Sequence, residues 1–78
     1  MPHLDIIWTD ENIAHLAEHD VSPEEAEVVL QEPTAATTSR SSGRPIAFGF
    51  TSAGRKLAVV YEIIDHATVY PITAYDIE

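Results

Sequence analysis

The chain has 78 residues, with 13 acids against four Lys and Arg, a formal net charge of -9 and 45% hydrophobic content. That length holds one domain with one core, and the hydrophobic content excludes general disorder. The absence of cysteine excludes disulfides and thiolate metal sites, and the acid excess disfavours polyanions as partners of the chain as a whole.

The charges are segregated along the chain. Nine of the 13 acids lie between Asp5 and Glu32, whereas all four cations (Arg40, Arg44, Arg55, Lys56) share one 17-residue window without an acid. Local charge therefore matters more than net charge. The N-terminal stretch Met1 to Asp5 has neither the basic nor the apolar region of a secretory signal. The longest apolar run, Leu57 to Ile64, is broken by Glu62 and is far too short to span a bilayer. A cytoplasmic protein without membrane contact or cofactor is the expectation.

Ile6, Ile7 and Trp8 read as a short N-terminal strand. Asp10 then offers a helix N-cap with Glu11 in the first turn, and Ile13, Leu16 and Ala17 give one buried stripe that runs out near Asp20. Ser22-Pro23-Glu24-Glu25 starts a second helix as N-cap, N1 proline and N3 glutamate of a capping box. Val21 and Ala26 form a weak hydrophobic staple, Ala26, Val29 and Leu30 face inward, and Pro33 ends the helix at Glu32.

From Thr34 the period becomes strand-like. Ser41-Ser42-Gly43 is a turn, Ile46, Phe48 and Phe50 alternate as a half-buried strand, and Ser52-Ala53-Gly54 turns into a long strand, Arg55 to Ile64. Asp65-His66-Ala67 leads to a last strand, Thr68 to Tyr75. Pro71 requires an edge position or a bulge there. The expected fold is α+β over residues 1–78, a helical half at 9–32 and a sheet half at 34–76. Two helices pack on one face of an antiparallel meander of about four strands, with a short N-terminal strand in addition. The other face carries Val60, Ile64 and Ile72 with little to cover them, and is a candidate contact surface.

Two constellations could carry chemistry. His15-Leu16-Ala17-Glu18-His19 matches H-x-x-E-H, an inverted zinc-protease pattern. Such enzymes need a third ligand and a cleft, for which the chain offers little. The plainer reading makes His15 a surface residue and His19 a helix-end residue that suits the helix dipole when protonated; no metal site is expected. The second constellation is the basic window. Antiparallel pairing would bring Arg44 near the Asp65 end and Arg55 and Lys56 near the Phe50 end, and register decides whether the charges converge. Guanidinium groups stabilise the phosphorane formed as a 2′-hydroxyl attacks an RNA phosphate. Tyrosines such as Tyr61, Tyr70 and Tyr75 can stack on bases or simply pack in a sheet.

The order of landmarks resembles the BrnT-like family of small RelE-like toxins from bacterial toxin–antitoxin pairs. The landmarks are Trp8-Thr9-Asp10-Glu11-Asn12, Glu18 to Ala26, Gly43-Arg44, Phe48-Gly49, Gly54-Arg55 and Pro71-Ile72-Thr73-Ala74. The resemblance covers Ile7 to Ala74 and rests on the ordered series. It implies a RelE-like fold and a metal-independent endoribonuclease neutralised by an antitoxin-like protein. On that reading His19, Arg44, Arg55 and Tyr75 are catalytic candidates, and Arg40, Arg44, Arg55, Lys56 and Tyr61 are RNA-binding candidates. Three departures remove positive charge: Glu18-His19-Asp20-Val21 stands for Lys-His-Gly-Val, Tyr75 for an Arg, and the family's basic C-terminal helix has no counterpart before Glu78. The alternative is a catalytically degenerate relative that binds a protein, or itself as a homodimer, through the open sheet face or an edge strand.

Overall fold

The computed structural model describes residues 3–77; Met1, Pro2 and Glu78, the outermost residues of the expected domain, lie outside the described residues. The elements follow as β1 (Asp5–Ile6), α1 (Asp10–Ala17), α2 (Pro23–Gln31), β2 (Ala35–Thr38), β3 (Pro45–Phe50), β4 (Lys56–Asp65) and β5 (Thr68–Asp76). They form an α+β fold with one five-stranded sheet in the order β1-β5-β4-β3-β2. Strands β2 to β5 are the expected meander, all antiparallel. The fifth strand is the short N-terminal one, which pairs parallel with β5 at Asp5–Thr68 and Ile6–Val69.

Both helices lie on one face, α1 against β5 and α2 against β3 and β4. The first helix starts one residue earlier than its acids suggest. Thr9, not Asp10, is the N-cap: its hydroxyl accepts from the Asn12 N–H, and the Asn12 carboxamide accepts from the Thr9 N–H. Asn12 is buried, and its Nδ2 also donates to the carbonyls of Ile7 (2.9 Å) and Pro71 (3.1 Å). One amide thus fixes the entry to α1 and anchors it to β5, with both of its own N–H donors paired. The second helix begins as expected, with Ser22 and Glu25 closing a capping box around Pro23.

Between the helices the chain makes a Schellman turn. Val21 N–H donates to the Leu16 carbonyl and Asp20 N–H to that of Ala17, with Asp20 at φ 59°. This is the left-handed conformation that glycine adopts at no steric cost. The α-helix proper ends at Ala17, so His15 and His19 are not one regular helical turn apart. No group of three or more His, Asp or Glu side chains among the described residues could hold a metal ion.

The core lies between helices and sheet: Leu16, Val21, Ala26, Val29 and Leu30 meet Ala47, Leu57, Val59, Val69 and Ala74. Where α2 crosses β3 it passes close to Gly49, whose absent Cβ would stand 3.3 Å from Val29 Cγ1. Pro71 is accommodated by a bulge, because Val60 pairs with Thr73 but Tyr61 with Pro71, leaving Ile72 without a partner. β1 pairs no farther than Val69, so no strand requires the missing Pro71 N–H. No helix among the described residues is long and apolar enough to cross a membrane.

Candidate functional site

The sheet face away from the helices has no second layer of helix or sheet over it, although Ile46 and Ala58 on it are buried. Strand alternation places Ile46, Phe48 and Phe50 of β3 on it, beside Lys56, Ala58, Val60 and Glu62 of β4 and Thr73 and Tyr75 of β5. Phe48, Ala58 and Tyr75 stand in one row across three strands. Ala58 is fully buried there although no helix covers it, because the rings on either side shelter so small a side chain. Phe50 is 50% exposed, and Ile64, on the part of β4 that extends past β3, is 52% exposed. Val60 and Ile72, expected on a bare surface, are half-buried.

The four cations do not converge. Arg55 and Lys56 stand where β3 turns into β4, whereas Arg44, just before β3, pairs with Glu62 on β4. Six residues of strand separate Lys56 from Glu62, about 20 Å at ~3.3 Å per residue. Arg40 lies exposed in the β2–β3 turn and makes no side-chain hydrogen bond or ion pair among the described residues.

Arg55 is engaged within the fold at every nitrogen. Nε and Nη2 donate to Asp76 Oδ1 and Oδ2 at 2.5 and 2.8 Å. Nη2 also donates to the His19 carbonyl at 3.1 Å, and Nη1 to the Asp20 carbonyl at 2.6 Å. Nη1 further reaches both Glu25 oxygens at 3.3 Å. A single planar fork therefore caps the end of α1, meets the first turn of α2 and pins the end of β5. The paired Asp76 carboxylate raises the Arg55 pKa further above its ordinary value. Arg55 in turn holds Asp76 below its ordinary 3.8. Glu25 is held below 4.5 by the Ser22 N–H first and by Arg55 second. A guanidinium with all its donors satisfied has none left to offer a phosphate.

The other sequence candidates divide between the two faces and ends. His19 is exposed in the turn between the helices, its ring edge-on to Tyr75 with centroids 6.3 Å apart. Lys56 Nζ stands 6.0 Å from the Phe50 ring centroid, so His19, Tyr75, Lys56 and Arg55 share one end of the sheet. Arg44 lies at the other end. Its Nε is 3.6 Å from Glu62 Oε2, too long for a hydrogen bond, and has no hydrogen-bond partner. Tyr61 is on the helix side, half-buried against the core, the packing role open to a sheet tyrosine. Tyr70 is held at its hydroxyl by Thr9 Oγ1 at 3.1 Å.

Sequence reasoning missed Asp76, Asn12 and the second role of Glu25. An acid in the last strand two residues past Ala74, opposite Leu57 in register, was the available signal for Asp76. No protein-family profile matches the chain, and neither curated proteins nor solved structures show a significant match to it. The landmarks behind the family resemblance nevertheless have a common physical role. Thr9 and Asn12, the Ser22-Pro23-Glu25 cap, Gly49 against Val29, and Arg55 each hold one element to another. Each of them contributes to the architecture.

Proposed function

We propose that this protein is a cytoplasmic, RelE-like member of a toxin–antitoxin pair whose working surface is the open sheet face, and that this face holds a protein partner rather than cutting RNA. The observation that carries the reading is the engagement of Arg55: the best-placed phosphate ligand of the sequence is used up inside the fold. What remains on the open face is an apolar row of Ile46, Phe48, Phe50, Val60 and Tyr75, with Lys56 at one end and Arg44 at the other. An apolar centre with charges only at its rim is the anatomy of a protein interface. The complementary partner is an antitoxin-like protein presenting an apolar segment flanked by acids. Co-expression with the product of an adjacent short reading frame tests this. Copurification abolished by Phe50→Glu, in a variant with unchanged circular dichroism, is expected; copurification indifferent to Phe50→Glu refutes it.

A second reading, metal-independent RNA cleavage, is favoured by the His19–Tyr75 ring contact beside Lys56. There His19 would take the 2′-hydroxyl proton as that oxygen attacks phosphorus, Tyr75 would protonate the departing 5′-oxygen, and Lys56 would hold the phosphate. Purified protein incubated with single-stranded RNA over a range of salt separates the readings. Cleavage lost in both His19→Ala and Tyr75→Phe establishes the second; intact RNA supports the first.

A further inference from the structure

We infer that the chain forms a two-fold dimer by pairing β2 with β2 of a second copy. β2 is an edge of the sheet, and all four of its residues, Ala35, Ala36, Thr37 and Thr38, are exposed. Its ladder with β3 fixes which backbone groups are free. Ser39 N–H donates to the Arg44 carbonyl at 2.7 Å, in register with the pairs Thr37–Ile46 and Ala35–Phe48. Alternation then turns the N–H and C=O groups of Ala36 and Thr38 outward. Ala35–Thr38 has no proline and no charged side chain, so its shortness is the one usual edge protection it carries.

Charge selects a second copy as the occupant. Glu32 precedes the strand and Arg40 follows it; both are exposed, and neither side chain has a hydrogen bond or ion pair among the described residues. Antiparallel pairing about Thr37 sets Ala36 of one copy opposite Thr38 of the other, closing four N–H···O bonds. It also brings the Glu32 end of one copy alongside the Arg40 end of the other, Glu32 capping α2 just before the strand and Arg40 standing in the turn just after it. The symmetry supplies that contact twice, as an isologous interface does. Ala35 and Thr37 share the open face with Ile46 and Phe48, so the two open faces join across small side chains into one longer surface. A four-residue edge buries less than the roughly 1,200 Å² of a standard interface, so the dimer is weak and reversible.

Sedimentation equilibrium up to roughly 1 mM chain tests the proposal, a range suited to weak association. Concentration-dependent dimerisation is expected. Thr38→Pro removes an outward donor without touching the β3 ladder and should give a monomer with unchanged circular dichroism. Glu32→Arg or Arg40→Glu alone should weaken the dimer several-fold, and the double swap E32R/R40E should restore it, which decides the matter even if Thr38→Pro misfolds. A chain monomeric throughout the range, or a dimer indifferent to the charge swaps, overturns the inference.

Discussion

Arg55 and Arg44 stand at opposite ends of the same pair of strands and differ in how their donors are satisfied. Arg55 is half-buried and donates from every nitrogen to two carboxylates and two helix-end carbonyls. Arg44 is half-buried too, with a 43% exposed side chain, but its Nε is buried without a hydrogen bond, 3.6 Å from one carboxylate. The difference comes from the helices. The turn between α1 and α2 ends over the Arg55 end and brings carbonyls that need donors, whereas nothing of that kind reaches Arg44. Identical residue types in one basic window are thus used differently: one ties three elements together, and the other makes a single long ion pair.

The largest expected effect breaks the Arg55 end. Arg55→Gln leaves the Asp76 and Glu25 carboxylates unpaired and removes the cap from α1. The midpoint of urea unfolding should fall further than for any other substitution proposed here. Arg55→Lys should rescue little of the loss, since an ammonium cannot match a fork that bonds in three directions.

Next comes the turn that Arg55 caps. Asp20 holds a left-handed conformation that costs a non-glycine residue ~1–2 kcal/mol, although Asp tolerates it better than most. Asp20→Gly should stabilise by up to about 1 kcal/mol, and Asp20→Val should destabilise by at least as much. Thermal unfolding of the two variants checks the sign. Position 20 is thus one at which the turn favours glycine.

A third effect is acid sensitivity. Glu25 and Asp76 have folded-state pKa values depressed below 4.5 and 3.8. Their contribution is full above those unfolded values and is lost as pH falls through the folded ones. Stability should therefore decline on acidification below about pH 4. Because Arg55 is a shared cause, Arg55→Gln should show a shallower decline over the same pH range. An equally steep acid limb in the variant would show that the pairing is not what depresses these groups.

The smallest effect is at the other end. Arg44→Gln should change unfolding free energy by no more than ~0.5 kcal/mol, as expected for an exposed pair. It should still weaken partner binding through loss of a rim charge.

Much of the architecture was legible because it is local. Ser22-Pro23-Glu25 announces its cap within four residues, and Ile46-Ala47-Phe48-Gly49-Phe50 announces a strand by alternation alone. Pro71 announced a bulge because a missing N–H has few remedies. The first N-cap was misplaced by one residue because Asn12 substitutes for the usual Glu or Gln of a capping box, while Asp10 offers a competing carboxylate. The site was less legible because its decisive contacts are distant in sequence. Arg55 meets Asp76, Glu25 and the backbone of His19 and Asp20, partners 21 to 36 residues away, and only the tertiary fold assembles them. The side taken by Tyr61 was legible by contrast: alternation sets it with Leu57 and Val59, and it packs against the core with them.

The division between a structural and a free arginine is tested most directly by the three arginine Nε–H resonances in a nitrogen-15 NMR spectrum. The account predicts that Arg55, identified by the peak lost in Arg55→Lys, exchanges slowly with water and does not shift when single-stranded RNA is added. Arg40, exposed in the β2–β3 turn, should exchange rapidly. Rapid exchange at Arg55, or a shift of its resonance on adding RNA, would contradict the account and return that guanidinium to the phosphate site.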